Sequence, residues 1–188
     1  MGVKILFLDI DGVLNSTEFI GLKATHKGYG KPLTRWERQL ISKALEHWEA
    51  PNVEIPKARR MIQNDIRQLD RAAIERLNEI IRQTGAKIVV SSTWRMWYRA
   101  PGLQLILSSF GLQGDVIDRT WLSPSRYRAH EIRKWLEETS LKVESFVAID
   151  DDSFDMVEVA DRLVKTSCLT GLLDEHIERA VEILRRPI

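Results

Sequence analysis

The sequence has a single cysteine, Cys168, so no disulfide can form within the chain. It also has no long hydrophobic run, because the apolar stretch at residues 3–10 is interrupted by Lys4 and is too short to span a bilayer. No small-residue cleavage site of the kind found in signal peptides follows that stretch. An excess of charge of one sign is missing too: the formal net charge is +1, so no global field draws the chain to nucleic acid or membrane. We therefore expect a cytoplasmic protein without membrane contact.

The 188 residues alternate short apolar runs with amphipathic stretches, a pattern typical of one domain with a sizeable core. Apolar runs predict buried strands at 3–8, 87–91 and 145–149, with shorter strands at 115–117 and 163–166. Helical spacing of apolar residues predicts helices at 70–84, 103–110, 127–139 and 172–186, the first capped by Asp70 and stopped by Gly85. Strands that alternate with helices predict an α/β fold with a doubly wound, mainly parallel sheet.

Residues 16–66 break this alternation. They contain prolines at positions 32, 51 and 56, and one helix is predicted there, at 34–48. We interpret them as an insertion after the first strand, within a single domain spanning residues 1–188.

Polar residues follow each of three predicted strands. They are Asp9 and Asp11 after the first, Ser91 and Ser92 after the second, and Asp150, Asp151 and Asp152 after the third. In open α/β sheets, ligands bind at the carboxyl ends of the strands, so these side chains are expected to meet. Crowded carboxylates need a cation, and Mg²⁺ prefers such oxygen ligands. Hydroxyls together with Arg128, at the start of the helix before the third strand, suit a phosphate group.

A structural explanation competes with this one. An isolated Asp-x-Asp-Gly is often only a turn, in which aspartate caps the backbone and glycine takes a positive φ. Three buried strands that all end in acidic or hydroxyl residues favour a functional site, because burying such charges without a metal or a partner is costly.

Residues 6–15, LFLDIDGVLN, resemble motif I of the haloacid dehalogenase-like (HAD) superfamily. Residues 89–92, VVSS, resemble its motif II, a strand that ends in serine or threonine. Residues 148–151, AIDD, with Asp155 four positions further on, resemble its acidic motif IV. Motif III is a lysine or arginine before that last strand, and either Arg128 or Arg126 would fill it. The order of these motifs covers the whole chain.

A narrower resemblance involves residues 91–95 (SSTWR), 110–112 (FGL), 128–136 (RAHEIRKWL) and 149–152 (IDDD). They are similar to HAD domains associated with RNA-repair proteins, which are related to the phosphatase half of polynucleotide kinase-phosphatases. This chain has Asp118 where that pattern often has a glycine. It shows no P-loop, so kinase activity is not expected.

The resemblance implies a phosphatase with a covalent mechanism. Asp9 would attack phosphorus and form an aspartyl-phosphate. Asp11 would protonate the leaving oxygen and then deprotonate the attacking water. The second aspartate argues against dehalogenation, since a halide needs no acid to leave. Residues 16–66 resemble a small cap placed after motif I, and such caps exclude water and select substrates.

The resemblance also implies a set of binding residues. Mg²⁺ would lie between the Asp9 carboxylate, the Asp11 backbone carbonyl and Asp151, supported by Asp150 or Asp155. The phosphate oxygens would be held by Ser91, the Ser92 backbone and Arg128. Substrate contacts are expected from Trp94 and Arg95, and Trp94 or Trp97 would stack on a base.

For the substrate, we expect the phosphorylated end of RNA or DNA, most readily a 3′-phosphate. The insertion is locally basic, with Lys23, Lys27, Lys31, Arg35, Arg38, Lys43, Lys57, Arg59 and Arg60, and Arg95, Arg99, Arg119 and Arg126 lie near strand ends. Two alternatives stay open: a phosphatase of mononucleotides or other small molecules, and a non-catalytic phosphate-binding protein on the same fold.

Overall fold

The computed structural model describes residues 2–25, 31–124 and 127–188. Its five strands form one parallel sheet in the order β3-β2-β1-β4-β5. The strands are β1 (Val3–Leu8), β2 (Lys87–Val90), β3 (Val116–Arg119), β4 (Val143–Asp150) and β5 (Leu163–Lys165). After the central β1, the chain forms β2 and β3 on one side of it and then crosses back to form β4 and β5 on the other side. The predicted α/β fold is confirmed, and the switch point between β1 and β4 is where this fold binds ligands.

Seven helices connect and flank the strands. They are α1 (Thr17–Thr25), α2 (Arg35–Leu45), α3 (Ile55–Gln68), α4 (Arg71–Thr84), α5 (Ala100–Ser109), α6 (Arg128–Glu138) and α7 (Asp174–Arg185) in the described chain. The predicted limits of α4, α6 and α7 agree to within two residues. The Asp70 side chain accepts the Ala72 N–H, and Gly85 ends α4 at a φ of 67°. None of these helices is both long and apolar enough to cross a membrane.

The two faces of the sheet carry different hydrophobic cores, because successive residues of β1 point to opposite sides. Leu6 and Leu8 belong to the larger core, which α2, α3, α4, α5 and α7 cover. Ile5 and Phe7 belong to the smaller core beneath α6, where the rings of Phe7 and Trp135 meet edge to face at 5.5 Å. Both faces of the central strand are therefore sealed, and only its carboxyl end is open for chemistry.

The insertion contains two helices that were not predicted from the sequence, α1 and α3. Pro56 lies in the first turn of α3, where the missing N–H has no intrahelical partner to lose. Ala58, Ile62 and Ile66 recur every four residues and are all buried. Together with α2, this helix packs into the larger core, so the insertion shares its hydrophobic interior with the sheet. Its role as a cap over the site stays a prediction.

Candidate active site

Three aspartates meet at the carboxyl ends of β1 and β4. Asp9 directly follows β1, and its backbone N–H donates to the Ile149 carbonyl at 3.0 Å, which continues the β1–β4 ladder. One carboxylate oxygen each from Asp9, Asp150 and Asp151 lies within 4.8 Å of the others. Asp9 and Asp150 are buried, and Asp151 is half-buried. The predicted convergence of the first and third strand ends is thus present in the structure.

Arg128 is the cation that faces this group. Its Nη1 lies 3.0 Å from Asp9 Oδ2 and 2.9 Å from Asp150 Oδ2. Its backbone N–H donates to Asp155 Oδ2 at 3.2 Å, so Asp155 fixes the start of α6. Arg128, one of the two candidates for the basic motif, thus lies at the site. The other candidate, Arg126, lies outside the described residues.

The group holds more negative charge than Arg128 balances. Burial, reinforced by the charge of Asp9, raises the pKa of Asp150 to about 7. The same two causes raise the pKa of Asp151. Burial lowers the pKa of Arg128, but the charges of Asp9 and Asp150 outweigh it and leave that pKa raised. Once ionised, three carboxylates carry more charge than one guanidinium offsets, and every donor is an oxygen, so the group fits a hard divalent cation such as Mg²⁺.

Gly12 is required by the shape of this site. Its φ is +72°, in the left-handed region, and an added Cβ would lie 2.3 Å from Asp151 Cγ. The Gly12 carbonyl accepts a hydrogen bond from Thr166 Oγ1 at 2.8 Å, which ties the loop after β1 to the end of β5. The glycine of the Asp-x-Asp-Gly motif therefore serves both the turn and the placement of a carboxylate on a neighbouring strand.

Asp11 lies beside this group and is exposed. Its Oδ1 accepts hydrogen bonds from Asn15 Nδ2 at 2.8 Å and from Trp94 Nε1 at 3.3 Å. Its Oδ2 accepts one from Thr93 Oγ1 at 3.4 Å. The side chain is thus not among the three clustered carboxylates, and the expected use of its backbone carbonyl as a metal ligand stays a prediction.

The two serines that follow β2 differ in their bonding. The Ser91 N–H donates to the Leu8 carbonyl at 2.9 Å, but the buried Ser91 Oγ has no hydrogen-bond partner within the described chain. A buried hydroxyl left unpaired costs about 1–3 kcal/mol, which a ligand oxygen would remove. Ser92 Oγ accepts the Trp94 N–H at 3.4 Å and caps the 3₁₀ turn Thr93–Met96.

Trp94 and Arg95 were expected to contact the substrate, but the structure buries both side chains. Trp94 is only 4% exposed. The Arg95 guanidinium is buried, pairs with Glu131 and donates to the Ser91 carbonyl. Glu131 in turn accepts the Ser123 N–H at 2.8 Å. The Trp94 indole N–H and the Arg95 Nη atoms thus donate to protein groups, whereas the buried Arg95 Nε has no hydrogen-bond partner within the described chain.

Three contributors to the site were not given roles from the sequence: Asn15, Thr93 and Glu131. Asn15 is four residues after Asp11, and a carboxamide so close to a candidate acid is a signal that could have been used. Glu131 lies one helical turn after Arg128, and this spacing places the two on the same face of α6. The partner of Glu131 is 36 residues away, so only the fold reveals that pair.

A family model described as the HAD domain in Swiss Army Knife RNA repair proteins matches residues 5–177. The matched segment includes every residue of the candidate site, from Asp9 to Asp155. None of the curated proteins matches the chain.

Proposed function

The chain belongs to the family of HAD domains in Swiss Army Knife RNA repair proteins, and on that premise we propose that it is a Mg²⁺-dependent phosphomonoesterase. One observation carries the proposal: Asp9 lies at the switch point among Asp150, Asp151 and Arg128, beside a buried hydroxyl of Ser91 that has no partner in the described chain. The test is phosphate release, with Mg²⁺, from nucleotides, sugar phosphates and end-phosphorylated oligonucleotides.

The proposed reaction has two steps. In the first, an Asp9 oxygen bonds to phosphorus, the bond to the leaving oxygen breaks, and Asp11 gives that oxygen a proton. In the second, Asp11 takes a proton from water, the water oxygen bonds to phosphorus, and the Asp9 carboxylate is released with inorganic phosphate. The arrangement supports these roles because Asp9 is buried beside Arg128, whereas Asp11 is exposed and therefore accessible to a leaving group.

The residues around Asp9 would hold the transferring phosphate. Arg128 supplies a fixed positive charge, while the Ser91 hydroxyl and the Ser92 backbone supply neutral donors. A bound Mg²⁺ would be held by Asp9, Asp150 and Asp151, and it would screen the carboxylates from the charge of the phosphate.

Removal of one carboxylate from the metal group tests the Mg²⁺ requirement. We expect Asp151→Ala to raise the Mg²⁺ concentration needed for half-maximal activity by at least about tenfold, because changes around metal ligands cost that much or more. Calorimetric titration with Mg²⁺ alone should show the same weakening without reference to activity. Asp152→Ala is the matched control, since Asp152 is adjacent, exposed and outside the clustered carboxylates. Full activity after exhaustive chelation would rule out the metal.

For the substrate, we propose a phosphorylated nucleic-acid end, with a 3′-phosphate as the first choice. The family description names RNA repair proteins. The helices of the insertion and the residues before them expose a set of basic side chains: Lys31, Arg35, Arg38, Lys43, Lys57, Arg59 and Arg60. Lys27 lies outside the described residues. Such a surface would follow a phosphate backbone.

The structure changes which residues would support this substrate. Arg95 pairs with Glu131, and both Arg99 and Arg119 pair with Glu49, so two glutamates offset most of the positive charge of these three arginines. Base stacking was expected of Trp94 or Trp97, but Trp94 is buried and the Trp97 ring stacks on Trp48. We propose that exposed aromatic residues at the same sheet edge supply it instead.

Tyr127 and Phe154 are the two aromatics best placed for that stacking. Tyr127 is 43% exposed and precedes Arg128, and Phe154 is 77% exposed. The loop that carries Phe154 is joined to α6 by the hydrogen bond from the Ala129 N–H to the Asp155 carbonyl, at 3.0 Å. Both rings therefore belong to segments anchored beside Asp9.

Salt dependence separates an oligonucleotide substrate from a small one. We expect a 3′-phosphorylated oligonucleotide to bind more tightly than the matching 3′-mononucleotide at low salt. Each single-strand phosphate contact adds about 0.7 to the salt slope, so three contacts would weaken binding roughly 20-fold between about 50 and 200 mM salt. The affinity for the mononucleotide, which is held only in the pocket, should change little with salt concentration.

Equal behaviour of the two ligands at every salt concentration would favour the alternative of a mononucleotide or small-molecule phosphatase. Binding of phosphate compounds without any turnover would favour a non-catalytic phosphate-binding protein.

A further inference from the structure

The carboxylate of Asp11 is held asymmetrically. Its Oδ1 accepts two N–H donors, from Asn15 at 2.8 Å and from the Trp94 indole at 3.3 Å. Its Oδ2 has one partner in the described chain, the Thr93 hydroxyl at 3.4 Å. The two oxygens of the proposed acid are therefore not equivalent.

The two groups that donate to Oδ1 cannot become hydrogen-bond acceptors there. An indole N–H only donates. The Asn15 carboxamide is fixed because its own oxygen accepts the Gly12 N–H at 2.9 Å, which turns its NH₂ group toward Asp11. A proton on Oδ1 would face these two donors and displace at least one of their hydrogen bonds. The Thr93 hydroxyl, by contrast, can donate to an ionised Oδ2 or accept from a protonated one.

We propose that Trp94 is a positioning residue for Asp11, which together with Asn15 keeps Oδ1 as an acceptor and leaves the transferable proton on Oδ2. This inference rests on the proposed phosphatase function. Oδ2 is then the atom that protonates the leaving oxygen and later accepts a proton from water. Trp94 acts through Asp11 and does not contact the substrate, in agreement with its burial.

Packing holds the Trp94 indole rigidly enough for this role. Its ring lies 6.0 Å from that of Tyr98, which is fully buried, and the Tyr98 hydroxyl donates to Asp65 Oδ2 at 2.6 Å. Asp65 belongs to α3, so a helix of the insertion fixes Tyr98 and, through it, the tryptophan. The Trp48 ring packs edge to face against Tyr98 from another side at 5.3 Å. The indole N–H is thus oriented before substrate arrives, which removes an ordering cost from the reaction.

The experiment removes the indole N–H of Trp94 and compares two substrates that differ in their leaving group. Trp94→Phe keeps an aromatic ring but has no donor. The kcat/KM value covers the steps up to leaving-group release, so it isolates the action of Asp11 as acid. We expect Trp94→Phe to lower kcat/KM roughly tenfold for an alkyl phosphate, the effect of losing one hydrogen bond to a charged group. For nitrophenyl phosphate, whose leaving group needs little acid assistance, the change should stay within about threefold.

Trp135→Phe is the matched control. Trp135 is also buried, and its indole N–H donates to Asp118 Oδ2 at 2.7 Å, so the change removes an equivalent donor from a carboxylate with no role in the proposed reaction. This variant should change kcat/KM for both substrates by the same small factor. If Trp94→Phe does not fold, replacement of the indole by a benzothiophene amino acid, with sulfur in place of N–H, keeps the shape and makes the same test.

The possible results of the Trp94→Phe experiment lead to different conclusions. A selective loss on the alkyl phosphate supports the positioning role. An equal loss on both substrates, or no loss on either, overturns it while the phosphatase function stands. Failure of the unmodified protein to release phosphate from any substrate with Mg²⁺ would overturn the proposed function and this inference together.

Discussion

Replacing Asp9 with asparagine is expected to abolish phosphate release and to leave the fold intact. A carboxamide cannot attack phosphorus as a carboxylate does, and removal of a nucleophile that acts within a catalytic unit costs about 10⁴-fold or more. Steady-state phosphate release with Mg²⁺ measures the loss.

The fold should tolerate this change for an electrostatic reason. Asp9 pairs with Arg128, but its charge also raises the pKa of Asp150. Asparagine has nearly the same shape, keeps an acceptor for Arg128 and removes one of three crowded carboxylates. We therefore expect the metal-free variant to melt at or above the temperature of the unmodified protein at neutral pH.

Asp152→Asn is the control for Asp9→Asn. It removes a carboxylate at the same sheet edge, but one that is exposed and lies outside the clustered group. Its activity should stay close to that of the unmodified protein. Near-normal turnover by Asp9→Asn would contradict the covalent mechanism.

Much of the fold was predictable because the local sequence pattern and the tertiary packing favour the same strands and helices. The apolar runs that form β1, β2 and β4 are buried on both faces, and the cap and stop of α4 are local features of Asp70 and Gly85. The helix α3 was not predicted, although Pro56 lies in its first turn, where a proline is compatible with a helix. Its apolar residues at four-residue spacing were the stronger signal.

The site was predictable to the extent that it depends on strand ends. Asp9, Asp150 and Asp151 lie at the carboxyl ends of neighbouring strands, so their meeting follows from the topology of a parallel sheet. The roles of Trp94 and Arg95 were not predictable in this way. Sequence shows an aromatic and a cation beside the site, but only the packing shows that one is 4% exposed and the other is paired with Glu131.

Asp11→Asn is expected to lower kcat/KM strongly, by a factor that depends on the leaving group of the substrate. The asparagine oxygen can take the place of Oδ1 and accept from Asn15 and Trp94, while its NH₂ takes the place of Oδ2. The variant then matches the shape of the protonated acid but has no acidic proton to give. General acid assistance contributes about 10²–10⁴-fold, so kcat/KM for an alkyl phosphate should fall by that factor. For nitrophenyl phosphate it should fall far less.

Turnover of nitrophenyl phosphate by Asp11→Asn should nevertheless be slow, because the second step has lost its base. The first step would stay fast, and the aspartyl-phosphate on Asp9 would accumulate. Rapid mixing should therefore show a burst of nitrophenolate equal to the enzyme concentration, followed by a slow phase. Asp9→Asn provides the comparison, since it should show neither burst nor turnover with either substrate. If Asp11→Asn instead lowers kcat/KM equally for the good and the poor leaving group, Asp11 is not the acid, and the hydrogen bonds from Asn15 and Trp94 serve the structure of the loop alone.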